Sequence, residues 1–110
     1  MPERFGEFPS LKRLSLSENG FMVLPDFFAD FPNLESLDLS GNELVSLPDS
    51  LQSLKSLSYL DLENNQFFDF PKCLKEIAGQ LKGIYYDGNP IPPSEIINFT
   101  IRFFNNHDSK

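Results

Sequence analysis

Residues 34–56 read LESLDLSGNELVSLPDSLQSLKS, with leucine at 34, 37, 39, 44, 47, 51 and 54 and an asparagine at 42. The block before it, from Leu11, reads LKRLSLSENGFMVLPDFFADFPN, and the block after it, from Leu57, reads LSYLDLENNQFFDFPKCLKEIAGQ. A fourth begins at Leu81 as LKGIYYDGNPI. The asparagines Asn19, Asn42, Asn65 and Asn89 are separated by steps of 23, 23 and 24 residues. The leading leucines Leu11, Leu34, Leu57 and Leu81 give the same steps, so two independent markers fix the period. Both place one inserted residue near Gly79-Gln80, and Pro25, Pro48 and Pro71 fall in the same phase. A repeat of this length is the sequence signature of a stacked architecture.

Each block carries a physical reason for its spacing. Leu37-Asp38-Leu39 alternates apolar and polar, as a strand with one buried face requires. One repeat cannot bury its own leucines, so stacked neighbours supply each other's core. The asparagine sits where the chain turns off the strand and buried backbone groups lose their ladder partners. A carboxamide offers donors and an acceptor, and can satisfy groups in the repeats above and below. Pro48-Asp49 fixes the chain for one turn of helix or 3₁₀ on the outer side. Leu51 and Leu54, three apart, then point back inward. Phe21, Phe28, Phe31, Phe67 and Phe70 occupy leucine positions and are read as larger core residues rather than an aromatic binding box.

The pattern L-x-x-L-x-L-x-x-N-x-L, carried by Leu34, Leu37, Leu39, Asn42 and Leu44 and again from Leu11, Leu57 and Leu81, resembles the leucine-rich-repeat family. The trailing half at Leu47, Pro48, Leu51 and Leu54 is similar to an intracellular subclass that includes plant Ras-group, bacterial cytosolic and Roc-GTPase-linked repeat proteins. The resemblance covers roughly residues 1–93. It implies an α/β right-handed solenoid with parallel strands on its concave face, short helices or 3₁₀ turns outside, and a C-terminal capping helix. One domain is expected, divided into a partial repeat over 1–10, full repeats over 11–33, 34–56 and 57–80, a partial repeat over 81–93 and a capping helix over 94–106.

Composition narrows the function. A chain of 110 residues with 40% hydrophobic content suits one domain with its own core. The net charge of −7 argues against nucleic acid, whose binding needs a basic footprint, and is compatible with a basic partner. No apolar run is long enough to span a membrane, and no basic-then-apolar leader is present. Cys73 is the only cysteine, so no intrachain disulfide framework exists. These features point to a cytoplasmic chain. One cysteine at 73 and one histidine at 107 give no metal motif and no nucleophile–base pair. Glycines are scattered rather than gathered in a phosphate loop. We assign no catalytic residue, metal or cofactor, and read the sequon Asn98-Phe99-Thr100, inside a predicted helix, as chance.

The two ends differ. Aligned to the second block, Met1-Pro2 matches Leu47-Pro48 while Phe5 and Phe8 match Leu51 and Leu54. The chain therefore opens inside a repeat with no polar cap, and either earlier repeats precede it or the edge meets another molecule. Edge pairing there would give a homodimer, unless residues 1–4 fold back over it. At the other end Ser94 is positioned to cap a helix with Glu95 in its first turn. Ile96, Phe99 or Thr100, and Phe103 share one face of that helix, and Ile97, Ile101 and Phe104 a neighbouring one. So broad an apolar arc suits a cap across the last repeat. A partner-binding or dimer helix is the alternative.

Function is expected on the strand face. Between the inward leucines, outward residues form columns: Arg13, Ser36, Tyr59, Gly83; then Ser15, Asp38, Asp61, Tyr85; then Ser17, Ser40, Glu63, Asp87. Parallel rungs lie about 4.8 Å apart, so each column is a row of neighbours. Asp38 and Asp61 are thus adjacent rungs rather than a catalytic dyad. Tyrosine anchors ringed by acid suit a partner presenting Lys or Arg. The candidate partner-binding residues are Arg13, Ser36, Asp38, Tyr59, Asp61, Glu63, Tyr85 and Asp87. The leading reading is a non-catalytic protein-interaction module or scaffold. An alternative is an assembly or targeting arm of a larger protein, such as a repeat-bearing GTPase or kinase.

Overall fold

The computed structural model describes residues 10–26 and 28–108, with backbone alone for residue 29 and residues 101–108. Strands β1 (Arg13–Ser15), β2 (Ser36–Asp38), β3 (Tyr59–Asp61) and β4 (Gly83–Tyr85) form one sheet in the order β1-β2-β3-β4. All pairings are parallel, and Leu14, Leu37, Leu60 and Ile84 stand in one row across the sheet. Each chain segment must cross the outer side to return in the same direction, as parallel pairing demands. The solenoid expected from the repeat is therefore the fold observed.

The row of inward residues shows how neighbours bury one another. Leu37 and Leu60 are at most 1% exposed, whereas Leu14 and Ile84, on the terminal rungs, are only half-buried. A fully covered leucine of this kind contributes about 2 kcal/mol of transfer free energy. Phe28, Phe31, Phe67 and Phe70 are buried in leucine positions, and Phe21 packs against the same core.

The outer side carries a 3₁₀ turn at Phe28–Asp30, another at Asp49–Ser53, and in the third repeat helix α1 (Lys72–Ile77) followed by a 3₁₀ turn at Ala78–Gln80. Pro48 and Pro71 stand in the N-cap positions with ψ of 147° and 150°, holding the chain extended up to the turn. A regular α-turn needs more residues per unit length than a 3₁₀ turn, which gives the inserted residue of this repeat a place. Gln80 closes the step: its Nε2 donates to the carbonyls of Leu54 (2.7 Å) and Leu57 (3.1 Å) in the preceding repeat.

The asparagines form a buried ladder. Asn42 Oδ1 accepts from the backbone N–H groups of Asn19 (3.1 Å) and Phe21 (3.0 Å), while Nδ2 donates to the carbonyls of Leu16 (3.0 Å) and Leu39 (2.9 Å). Asn65 repeats the pattern on Leu44 N–H and the Leu39 and Leu62 carbonyls, and Asn89 on Phe67 N–H and the Leu62 and Tyr86 carbonyls. Sequence reasoning expected bonds above and below. The carboxamide instead serves its own repeat and the one before it, because the Asn side chain leans toward the earlier turn.

Helix α2 (Pro93–Asp108) ends the chain and packs against the turn at Ala78–Gln80. It begins one residue earlier than expected. Pro93 opens it and the Pro92 carbonyl accepts from Glu95 N–H (3.0 Å) and Ile96 N–H (3.2 Å), so Ser94 lies inside the first turn rather than capping it. Phe99 is buried and stacks on Phe70 with centroids 4.0 Å apart, and Phe70 meets Tyr86 edge-on at 5.1 Å. Ile96 and Thr100 are half-buried beside it. The second apolar face is not covered at its start: Ile97 is 59% exposed. The expected N-terminal partial repeat, with Phe5 and Phe8, and the fold-back of 1–4 lie outside the described residues, as do the side chains of Ile101, Phe103 and Phe104.

Candidate protein-binding face

The strands alternate strictly, so residues 13, 15 and their equivalents face away from the core. The sheet register aligns Arg13 with Ser36, Tyr59 and Gly83, and Ser15 with Asp38, Asp61 and Tyr85. The third column continues past the strands: Glu18 N–H donates to Ser40 O (3.0 Å), Gly41 N–H to Glu63 O (2.9 Å) and Asn64 N–H to Asp87 O (2.8 Å). All three columns read from the sequence are thus present as rows of neighbours.

Tyr59 and Tyr85 are 45% and 51% exposed, which leaves large apolar rings on the open face. Gly83 lets them converge. A β-carbon there would lie 3.1 Å from Tyr59 Cδ1 and 3.2 Å from the Tyr85 hydroxyl, so both rings lean over this residue. A hollow of about 180 Å³ lies between them, lined by Ser36, Asp38, Tyr59, Asp61 and Tyr85. The carboxylates are held in place by their own turns. Asp38 Oδ1 accepts from Ser40 N–H (3.0 Å) and Ser40 Oγ (2.7 Å), and Asp61 Oδ1 accepts from Glu63 N–H (3.0 Å). The negative charge of Asp61, helped by partial desolvation and by Asp87 and Asp38, pushes the Glu63 carboxyl above the ordinary value of 4.5. Such crowding marks a region that would gain from a cation.

Arg13 stands apart from this group. It lines a separate hollow of about 400 Å³ at the leading ends of the strands, with Glu35, Ser36, Ser58, Tyr59 and Lys82. The column Lys12, Glu35, Ser58, Lys82, one residue before the strands, belongs to that hollow's surroundings and was missed by reading only outward strand positions.

A further column was also missed. Met22, Val45 and Phe68 recur at the repeat spacing and are 66%, 53% and 65% exposed, with Val23 beside them at 72%. They lie just past the asparagine ladder, on the turn side rather than the strand face. The signal was their common phase, which the search for inward leucines passed over. A groove of about 370 Å³ separates β4 from α2, lined in part by Ile84, Tyr86 and Phe99. Cys73 is buried, and burial pushes its thiol pKa up, opposite to the activation a nucleophile needs. Among the described residues no group of His, Cys, Asp and Glu is arranged to hold a metal ion. Nor, among them, is any helix long and apolar enough to cross a membrane.

Known proteins give the same architecture. A solved leucine-rich-repeat protein of Leptospira interrogans superposes with a TM-score of 0.76 at 37% identity, over 86% of this chain. The present chain spans only 24% of that protein's chain. No curated protein matches the sequence. A family model described as leucine rich repeat matches residues 9–67, more than half of the chain and in the register set by the leucines and asparagines. The chain belongs to the leucine-rich-repeat family.

Proposed function

We propose that the chain is a non-catalytic protein-binding module whose concave strand face receives a partner bearing basic side chains. The observation that carries this is the exposed pair Tyr59 and Tyr85 set in register beside Asp38, Asp61, Glu63 and Asp87. Tyrosines offer large contact area with little entropy to lose, and the carboxylates supply the charge complement. Ser36 and Arg13 border the same face and complete its rim. The acidic surface opposes nucleic acid, and the placement is cytoplasmic.

A second reading is an assembly or targeting arm of a larger protein, such as a repeat-bearing GTPase or kinase. It draws on the chain's match to 24% of a much longer repeat protein. Among the described residues β1 is the outermost strand of the sheet, and its outer edge is the surface through which two copies would pair.

The test is a footprint. A partner captured with the purified chain is titrated into ¹⁵N-labelled protein, and amide shifts are mapped. Shifts concentrated in residues 36–40, 59–63 and 83–87 support the concave face. Shifts confined to the Met22, Val45 and Phe68 column, or to α2, reject it.

A further inference from the structure

The strand face is electrically divided along the strand direction. At the leading ends stand Lys12, Arg13 and Lys82, with Glu35 the single acid among them. Glu35 is already engaged by Lys12, whose Nζ lies 3.4 Å from its carboxylate. Among the described residues Arg13 and Lys82 are in no ion pair. At the trailing ends stand Asp38, Asp61, Glu63 and Asp87, with no Lys or Arg in their columns. Ser36 and Tyr59 lie between: both line the 400 Å³ hollow of Arg13 and Lys82 and the 180 Å³ hollow of Asp38 and Asp61.

The spacing of the charged columns has a chemical reading. The register sets the column of Arg13 two residues before the column of Asp38 and Asp61 along the strands, which is about 6.6–6.8 Å. In an extended peptide, residues two apart also point to one side at the same spacing. A peptide lying along the strands would therefore set one side chain beside the column of Arg13 and the next on the same side beside the column of Asp38 and Asp61. A carboxylate suits the hollow of Arg13 and Lys82, and an ammonium or guanidinium suits the hollow of Asp38 and Asp61. A uniformly basic segment would set a cation against Arg13 and Lys82, and like charges placed together are a strong discriminator against a wrong partner.

The geometry points to a bipolar occupant: an extended segment carrying an acidic and a basic side chain separated by one residue. This rests on the concave-face reading and sharpens it from a basic partner to a mixed-charge one. Direction is set by charge. A segment parallel to the strands presents acid then base, and an antiparallel one base then acid.

Blocked peptides on a threonine background test this, with centres Glu-Thr-Lys, Lys-Thr-Glu, Lys-Thr-Lys and Glu-Thr-Glu, titrated into ¹⁵N-labelled chain at low salt. One of the mixed peptides is expected to bind about 5-fold more tightly than Lys-Thr-Lys, the scale of one favourable exposed ion pair. Its shifts should fall on both sides of Tyr59. The variant Arg13→Glu with Lys82→Glu changes only exposed side chains, and in it the order should invert in favour of Lys-Thr-Lys. If Lys-Thr-Lys binds wild type as tightly as the better mixed peptide, the bipolar occupant is overturned while a basic partner on this face survives. If the charge-reversed variant keeps the wild-type order, the hollow of Arg13 and Lys82 is not a binding element and the assignment falls. If no peptide shifts the strand face, both readings fall.

Discussion

Replacing Asn42 by alanine removes three hydrogen bonds of 3.0–3.1 Å to the preceding repeat and two within its own, to the carbonyls of Leu39 (2.9 Å) and Ser40 (3.3 Å). The effects on the backbone partners differ. The N–H groups belong to Asn19, which is exposed, and Phe21, which is half-buried, so water can replace the carboxamide oxygen there. The Leu39 carbonyl keeps the Asn65 Nδ2 donor (3.0 Å), whereas the Leu16 carbonyl, on a buried residue, loses the carboxamide donor that reaches it from the next repeat. An orphaned buried group costs about 1–3 kcal/mol, so the net loss for Asn42→Ala is about 1–3 kcal/mol. With a urea slope of about 1.5 kcal/mol/M for a chain of this size, the unfolding midpoint should fall by about 0.7–2 M. Asn19→Ala is the internal control. Asn19 is exposed, and its side chain donates to Ser17 O (3.0 Å) within its own repeat, so the variant's stability should stay within about 0.5 kcal/mol of wild type. Equal midpoints for the two variants would refute the claim that the ladder ties repeats together.

Glu63→Gln should raise stability at neutral pH, because Glu63 is held above its ordinary pKa in the folded chain, chiefly by Asp61. The sign follows from the raised value: the destabilisation is absent when the carboxyl is protonated in both states and grows as pH rises from the unfolded value through the folded one. The advantage of the variant should therefore vanish below about pH 4, as followed by thermal melts across pH. Gly88, at φ +83°, faces the Asn64 carboxamide of the preceding repeat, where an added β-carbon would collide with Oδ1. Gly88→Ala should cost about 1–2 kcal/mol from the left-handed backbone with the clash added to it, and only the backbone share in an Asn64→Gly background that makes room, as a double-mutant cycle in denaturant would show. If two copies pair along the outer edge of β1, sedimentation equilibrium over a wide concentration range should report a two-fold dimer, and a monomer mass at the highest concentration would reject edge pairing.

The legible parts of this fold were those fixed by repetition. Leucines and asparagines at one period set the strand register, because every rung must solve the same burial problem. Two outward columns of the strands followed from alternation alone. What escaped was what depends on direction or on the neighbour. That Asn42 bonds the preceding repeat and not the following one depends on which turn lies beside it in the stack, and the letter Asn does not encode it. Ser94 read as a cap by residue type, yet Pro93 is the better first residue of a helix and displaced it. The broad apolar arc of the C-terminal helix overstated its coverage, since Ile97 points away from the last repeat while Phe99 fills the space over Phe70. Arg13 was grouped with the acidic columns because it shares their face, but it sits at the opposite end of the strands with Lys82. The exposed column of Met22, Val45 and Phe68 was present in the period and needed only the question of which in-phase apolar residues are not required by the core.

The central claim is that Tyr59 and Tyr85 anchor a partner on the concave face, and affinity measured by titration calorimetry tests it most directly. The captured partner is titrated into wild type, into the double variant Tyr59→Ala with Tyr85→Ala, and into Phe68→Asp on the turn side, after matched melting temperatures confirm that each folds. Loss of a hot-spot anchor is worth about 2 kcal/mol or more, so the double variant should bind at least about 30-fold more weakly while Phe68→Asp binds as wild type does. An unchanged affinity in the double variant, with binding abolished by Phe68→Asp, would contradict the account and move the interface to the exposed apolar column.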